Sequence, residues 1–418
     1  MYICIFEDSR YRNFLPLVFL RPVFDLRCGV FTLREKVQRL FPRVPLHLHC
    51  RTELADVVRE QNTGTSVNTL PEDDCWFING RLIANENLSD CVRRNPRSSA
   101  VFMSDGRPAL AFVEKSHVRR IAGRLNDGLF AEDTFADLPV KNFNGQLVEY
   151  PWELILHSPE EIENDFRNAR RGLNPPAAHS HRGAHFVDRR KIMLGSGSAV
   201  KPGAVLDAEH GPVIIGKRVT VMSNAVIQGP AYVGDDTIVK VGAKLYHGTS
   251  VGRRCKVGGE VEMSVIQSFS NKQHDGYLGH SYLGSWVNIG ADTNTSDLKN
   301  NYGTVKVDVG QAVIDSGTQF LGMLMGDHSK SGINMMFNAG TVVGVSCNLF
   351  GAGLPMKFIP SFSWGGAESF SEYAFEKSLE TARNMMKRRD VLLSDAEAQL
   401  LALVFERTRD DRKRLGFG

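Results

Sequence analysis

The chain has 418 residues, 42% hydrophobic and 23% charged, enough to bury two cores of ordinary size and too apolar for a disordered or fibrous protein. Fifty Lys and Arg against 47 Asp and Glu leave a formal net charge of +3, a balance that excludes a chain built mainly to coat nucleic acid or an anionic membrane. No run reaches the ~18 continuous apolar residues of a membrane helix. The start, Met1 to Asp8 (MYICIFED), has no basic region and no small-residue cleavage site, and the seven cysteines never pair as C-x-x-C, so neither export, a disulfide framework nor a thiolate zinc site is expected. A reducing cytoplasm is the expected home. Glycine is in excess, 39 residues or about 9% against a usual ~7%, and crowds into the second half.

Residues 1–172 read as alternating strand and helix. Tyr2 to Phe6 is a short apolar strand, Thr32 to Phe41 has helical spacing with Leu33, Val37 and Leu40 on one face, and Leu46 to His49 reads as the next strand. Cys75 to Ile78 is a buried-strand candidate, and Ala100 to Met103 with Ala109 to Val113 flanks the turn Ser104-Asp105-Gly106. The pattern predicts a mixed sheet covered by helices. Pro159 to Arg171 has acids first and bases last, as a helix with its dipole complemented. The proline-led stretch within 173–184 reads as a linker.

The second half has a period of six. From Ile215 every sixth residue is aliphatic: Val221, Ile227, Val233, Val239, Leu245, Val251, Val257 and Met263. If aliphatic residues fill roughly a third of such a region, nine consecutive hits have a probability on the order of 10⁻⁴. Four residues after each of the first eight stands a small or β-branched residue, Val219 through Val261. This is a hexapeptide repeat, in which three flat strands make one triangular coil, the aliphatic residue points inward, and Gly, Asn or Asp turns each corner. Leu194, Val200 and Leu206 precede the run; Leu283, Ile289, Phe337, Val343 and Leu349 resume it. A β-helix over 185–360 is predicted, with Gln267 to Tyr282 and Thr295 to Lys306 as loops leaving the prism, where function concentrates. Over 361–418, Phe370 to Arg389 and Asp395 to Arg407 have helical spacing, and the basic ending Arg407 to Arg414, interrupted by acids, reads as a solvated face.

Specific motifs add to this pattern. Lys272-Gln273-His274-Asp275-Gly276-Tyr277-Leu278-Gly279 and Asn288-Ile289-Gly290-Ala291-Asp292-Thr293 resemble the K-x-x-H-x-x-Y-[IL]-G and N-I-G-A-G-T motifs of the GlmU-like sugar nucleotidyltransferase family. These bifunctional enzymes acetylate glucosamine-1-phosphate and uridylylate it to UDP-N-acetylglucosamine. The resemblance extends through Leu15-Pro16-Leu17, Gly80-Arg81, Tyr150-Pro151-Trp152, Gly279-His280-Ser281-Tyr282 and Gly326-Asp327-His328-Ser329-Lys330. It implies a Rossmann-like α/β nucleotidyltransferase domain, a left-handed parallel β-helix of the acyltransferase type and C-terminal helices. It further implies sugar-1-phosphate, nucleoside triphosphate and acyl-CoA (acetyl-CoA among them) as substrates, Mg²⁺ for nucleotidyl transfer, a homotrimer formed through the β-helix, and neither a nucleic-acid nor a membrane partner.

Residue by residue, the resemblance makes His274 the general base, a role an imidazole suits because it titrates near neutrality; His280 and His328 are competing bases. It places Ala291, Ser316 and Ala339 along the acyl-CoA groove, and Lys272, Tyr282 and Lys299 at the acceptor. Arg21, Arg27, Arg34, Lys36, Asn79 and Gly80 become the nucleotide and sugar-phosphate candidates, and no metal ligands are assigned.

The departures are equally concrete. The family's two cations for the sugar phosphate are replaced in Leu245-Tyr246-His247-Gly248 and Val261-Glu262-Met263-Ser264. Its glycine-rich G-x-G-T-R is replaced by Glu7-Asp8-Ser9-Arg10-Tyr11-Arg12, and the acid of its later G-D by Arg81. Arginine clamps phosphate but cannot ligate Mg²⁺. Two other readings fit the same residues: an acyltransferase whose first domain only binds a sugar nucleotide, and a non-catalytic sugar-nucleotide-binding scaffold.

Overall fold

The computed structural model describes residues 2–70, 72–94, 98–122, 128–131, 133–169, 181–310 and 312–417. The chain forms two compact units: Met1–Phe14, Leu20–Leu26 and Phe31–Tyr150 make the first; Leu15–Phe19, Arg27–Val30 and Pro151–Gly418 make the second. Residues 173–180 of the expected linker lie outside the described residues.

The first unit is built on a seven-stranded mixed sheet. Its strands are β1 (Tyr2–Phe6), β2 (Leu46–His49), β3 (Ser66–Val67), β4 (Cys75–Asn79), β5 (Ala100–Ser104), β6 (Arg107–Val113) and β7 (Val140–Asn142), in the order β7-β5-β6-β4-β1-β2-β3. β1 pairs in parallel with β2 and β4, while β6 runs antiparallel to β4 and β5. Every residue of β4 is buried, as a central strand covered on both faces requires. Phe6, Phe77, Phe130 and Phe135 pack together on one face. The helix read at 32–41 is Leu33–Leu40, started by a capping box between Thr32 and Glu35. The helix read from Pro159 begins earlier, at Pro151, and runs to Ala169. Proline suits a first helical position, where its missing N–H is not needed, so Pro151 opens the helix, and Pro159 lies within it. This helix groups with the second unit.

The second unit is the predicted left-handed β-helix. Leu194, Ile215, Val233, Val251, Ile266, Leu283, Met325, Val343 and Ile359 stack in register along one sheet, and Leu206, Ile227, Leu245, Val261 and Leu278 along a second. Val200, Val221, Val239, Val257 and Lys272 follow along the third. The small residues between them, among them Ala225, Thr237, Ala243 and Thr249, are buried beside these ladders, with the Thr237 and Thr249 hydroxyls donating to the carbonyls of Gly252 and Val261.

Three expectations are corrected. The period shortens at Gly258-Gly259, so Val261 takes the inward place, and Met263 stands at a corner with φ +43°. Gln267 to Tyr282 does not leave the prism but completes a coil, with strands at Asn271–Lys272 and Tyr277–Gly279. The true excursion lies between Thr295, which pairs with Phe337, and Leu324; it includes the hairpin Lys306–Asp308 with Val313–Asp315. One corner also departs from glycine: Arg254, Phe269, Trp286, His328 and Phe362 all hold positive φ, with Phe269 stacked on Trp286 at 4.3 Å.

At the C-terminus Phe370–Glu372 is a strand antiparallel to Ser363–Gly365, and helices follow at Phe375–Lys387, Asp395–Arg407 and Arg409–Arg414. The basic ending is not wholly solvated. Arg412 is fully buried, donating to Glu372 Oε2 at 2.8 Å and Thr408 Oγ1 at 2.8 Å over the Phe405 ring.

Candidate active site

Strand Tyr277–Gly279 leads into a corner at His280, whose φ is +41°. The excursion begins and ends beside this corner: the amide of Gly322 donates to the His280 carbonyl, and Asp297 stands at the start of the excursion. His280 Nδ1 lies 2.7 Å from Asp297 Oδ2. The Tyr277 hydroxyl reaches the same Asp297 oxygen at 2.9 Å and Glu262 Oε2 at 3.1 Å. The His280 ring stacks on Phe320 with centroids 5.2 Å apart, and its side chain is 14% exposed. Burial raises the Asp297 carboxyl, but the hydrogen bonds from His280 and Tyr277 outweigh it and hold the group below the ordinary carboxylate range. Burial, followed by the facing charge of Asp297, pushes the Tyr277 phenol up, so it remains a donor. A carboxylate on Nδ1 fixes the Nδ1–H tautomer and leaves Nε2 with a lone pair. The constellation is an oriented base: it can take a proton from an attacking amine or hydroxyl.

Gly279 makes this packing possible, because a Cβ there would collide with Asp297 Oδ2 and the Tyr277 hydroxyl. The sequence motifs contained His280 and Tyr277, but nothing in them marked Asp297 as the partner of His280. Phe320 carried no signal at all, since the excursion alone brings it onto the imidazole.

The other expected residues are placed as follows. His274 is exposed on a turn, and its backbone carbonyl accepts from Lys272 Nζ at 2.8 Å; no carboxylate pairs with its ring among the described residues. His328 is buried and stacks near Trp286. Lys272 is a correction: its side chain points into the prism, 2% exposed, and burial pulls its amine down to about 8, so it presents no surface to an acceptor. Tyr282 is a second correction. It is fully buried, its hydroxyl accepting from the Arg27 amide at 2.7 Å and lying 3.1 Å from the Arg27 carbonyl. Lys299 donates to the Thr304 carbonyl within the excursion. Ser316 directly follows the hairpin, its hydroxyl donating to Val305 O at 2.7 Å. Ala339 is buried before the corner at Gly340, whereas Ala291 adjoins a different corner, its carbonyl accepting from Asn334. One chain therefore does not gather the three groove candidates.

Of the basic residues from Arg21 to Lys36, Arg34 pairs with Asp25 at 2.7 Å, a carboxyl on which the charge of Arg21 also acts; Lys36 is buried, and Arg27 belongs to the second unit, where it lies over Tyr232. The polar centre of the first unit is elsewhere, at the C-terminal ends of the parallel strands β1 and β4, where ligands of open α/β sheets bind. Asp8 follows β1, and Asn79-Gly80-Arg81 ends β4. Arg81 donates through Nε and Nη2 to both Asp8 oxygens at 2.7–3.1 Å, to Val148 O at 2.8 Å and to Glu149. Asn79 Nδ2 donates to Asp8 Oδ2 at 2.9 Å, and Arg107 pairs with Glu149. Gly80 is required because a Cβ would strike Phe24 and the Phe6 carbonyl. A small cavity of about 10 Å³, room for about one water, lies here, lined in part by Asp8, Asn79, Arg81 and Arg107.

Residues 3–173 match the family model described as sugar nucleotidyl transferase. Among curated relatives, the bifunctional protein GlmU of Synechococcus sp. (strain CC9311) is 27% identical over 200 residues, 47% of this chain and 39% of its own. The bifunctional protein GlmU of Synechococcus sp. (strain CC9902) is 34% identical over 157 residues, 37% of this chain and 29% of its own. The bifunctional sugar-1-phosphate nucleotidylyltransferase/acetyltransferase of Sulfurisphaera tokodaii is 35% identical over 97 residues, 23% and 24%. The chain thus spans less than two-fifths of the length of each of these relatives. Among solved structures, a UDP-N-acetylglucosamine acyltransferase from Campylobacter jejuni is 16% identical and covers 56% of this chain and 88% of its own, with a TM-score of 0.25. No helix among the described residues is long and apolar enough to cross a membrane.

Proposed function

We propose that the protein is a two-domain enzyme of sugar-nucleotide biosynthesis. Its nucleotidyl transferase domain joins a nucleotide to a sugar-1-phosphate, and its β-helix moves an acyl group from acyl-CoA to an amino sugar. The observation that carries the second activity is the His280–Asp297 pair, with Nε2 left as acceptor on a partly exposed ring. In the reaction, an amine nitrogen attacks the thioester carbonyl and gives a proton to His280 Nε2. The C–N bond forms as the C–S bond breaks, and the imidazolium returns its proton to the departing thiolate, leaving an amide and free thiol. Asp297 keeps the ring oriented and supports its charge throughout. Ser316 and Ala339, with Ala291, are the acyl-CoA groove candidates of this reading, and Lys299 remains a candidate at the acceptor. A homotrimer in the cytoplasm, without nucleic-acid or membrane partners, belongs to the same proposal.

For the first domain, the strand-end residues do not fit a Mg²⁺ held by the protein. Both Asp8 oxygens are taken by Arg81, one of them also by Asn79, and no group of three His, Cys, Asp or Glu stands ready for a metal among the described residues. Arg81 is buried and engaged by Asp8, the Val148 carbonyl and Glu149, so binding and orientation of phosphates fall to Arg107 and the strand-end amides. That same observation favours a second reading, in which this domain binds a sugar nucleotide without transferring it. A single experiment separates them: purified protein with panels of sugar-1-phosphates, nucleoside triphosphates and acyl-CoA donors, following pyrophosphate and thiol together. Thiol release lost in His280→Ala supports the acyl transfer, and thiol release that survives it overturns the site. Pyrophosphate release supports nucleotidyl transfer; nucleotide binding without it leaves the binding role.

A further inference from the structure

The sheet edge of the first unit carries a cleft apart from the Asp8–Arg81 centre. β5 and β7 run in parallel, with Asn142 aligned to Met103, so both end at this edge. The segment that follows β7 is pinned along its length: the Phe143 amide donates to Met103 O at 2.8 Å, Ser104 Oγ donates to Gly145 O, Asn87 Nδ2 donates to Asn144 O at 3.0 Å, and Gln146 pairs with Ile83. Gly145 is required there, because a Cβ would strike the Phe143 ring. Asn142, Asn144 and Gln146 are exposed and alternate with half-buried Phe143 and Gly145, so their amides stand on one side of the segment, as alternate residues of an extended chain do. With Asn85, Asn87 and Ser104 they line a cleft of about 530 Å³, inside the ~300–1,000 Å³ range of small-molecule sites.

The lining chemistry selects the ligand. Asp105 is the single charged residue among the described residues that line the cleft, and the nearby Lys141 lies over the Phe102 ring instead, at 5.5 Å. No cation stands in the cleft to hold a phosphate or a carboxylate. Each side-chain amide offers an acceptor oxygen and two N–H donors, which match the adjacent hydroxyls of a sugar ring, themselves donors and acceptors at once. The amides of Asn142, Asn144 and Gln146 are not taken by other protein groups among the described residues. Ser104 is aligned with Arg107 across the turn between β5 and β6, which places the cleft beside the arginine assigned to phosphate. We propose that the cleft binds an uncharged sugar ring and that Asn142, Asn144 and Gln146 are the residues that select it. The ring arrives as a free sugar or as part of a sugar-1-phosphate whose phosphate reaches Arg107. The inference rests on the first domain being one that handles a sugar, with or without nucleotidyl transfer.

The test applies saturation-transfer NMR to the full chain with N-acetylglucosamine, glucuronic acid and N-acetylglucosamine-1-phosphate, in the wild type, in the double variant Asn142→Ala, Asn144→Ala and in Gln146→Ala. All three positions are exposed, and thermal melting of each variant checks that it folds. N-acetylglucosamine should bind at millimolar concentration, glucuronate about tenfold or more weakly, and the double variant should lose about tenfold in affinity for the neutral ring. A 1-phosphate that binds more tightly than the neutral sugar, and is weakened by the same substitutions, assigns the cleft to the ring of the phosphate ester; a 1-phosphate that binds no better assigns it to a free sugar. Glucuronate bound as well as N-acetylglucosamine, or no binding of the neutral sugar or its 1-phosphate that the substitutions weaken, overturns the inference. Pyrophosphate release, followed on the same samples, keeps the readings apart. Its absence tells against nucleotidyl transfer and leaves the cleft standing, whereas pyrophosphate release indifferent to the substitutions, with ring binding equally indifferent, overturns the cleft alone.

Discussion

Replacing Lys272 by Met should make the protein more stable at neutral pH, although a lysine in this motif looks indispensable from the sequence. The side chain takes an inward rung below Val257 and is 2% exposed. A lysine ordinarily titrates near 10.5, and burial, only partly offset by Asp275, Asp292 and Glu260, brings this one to about 8. That gap, at about 1.4 kcal/mol per pH unit, makes the charged amine cost on the order of 3 kcal/mol in the folded chain. Losing its bond to the His274 carbonyl returns about 1 kcal/mol, and Met matches the volume, so a net gain of about 2 kcal/mol is expected at pH 7. Below about pH 8 both folded and unfolded chains carry the proton, and the folded chain bears the cost. Between about 8 and 10.5 the unfolded chain binds a proton that the folded one does not, so wild-type stability rises and the advantage of Lys272→Met closes and then reverses by up to about 1 kcal/mol, the lost bond to the His274 carbonyl. Urea unfolding of both proteins at pH 7, 9 and 10.5 measures the difference, other titrations cancelling between them. A variant less stable at pH 7, or a difference that does not close toward pH 10.5, would refute the reasoning.

Gly279→Ala should cut thiol release by about a hundredfold or more without unfolding the chain, because the new methyl displaces Asp297 and Tyr277 from their shared contact; an unchanged rate in a folded variant counts against the dyad. Asp297→Asn should lower kcat by at least about two orders of magnitude. Because Asp297 is held below its ordinary range, its contribution to stability is complete above about pH 4 and is lost only as pH falls through its lowered value. Acid denaturation of the two proteins should therefore diverge above that range and converge below it. Arg81→Met, which leaves Asp8 and Glu149 without their buried partner, should destabilise the protein by about 3–5 kcal/mol in urea; a loss under 1 kcal/mol would show that the pair is not held as described.

The ladder from Leu194 to Leu349 was legible because a coil that buries one side chain per strand writes its period directly into the chain. The slip at Gly258-Gly259 was not, since Met263 keeps the six-residue count while Val261, also aliphatic, takes the inward place. Gln267 to Tyr282 was misread for a related reason: Lys272 occupies an aliphatic position, and a charged residue there looks like a loop. His274 and His280 are both motif histidines, and their difference lies wholly in a partner contributed by the excursion, which no local pattern reports. In the first domain the missing glycines and Arg81 were visible, but their mutual consequence, an acid from one strand end joined to a base from the other, needed the sheet register.

The chain passes between its two units at 14/15, 19/20, 26/27, 30/31 and 150/151. Within the second unit the Gly29 carbonyl accepts from Ser250 at 2.7 Å, the Val30 amide donates to Asp165 at 2.9 Å, and Arg27 meets Tyr282. A cut after Tyr150 would consequently not release two finished domains: the front fragment would carry off Leu15–Phe19 and Arg27–Val30, and the rear fragment would keep Tyr282, Ser250 and Asp165 with those partners gone. The β-helix half is thus not a transferable module in this protein. Any gene that inherited only residues 151–418 would have to replace those nine residues before its solenoid face could close.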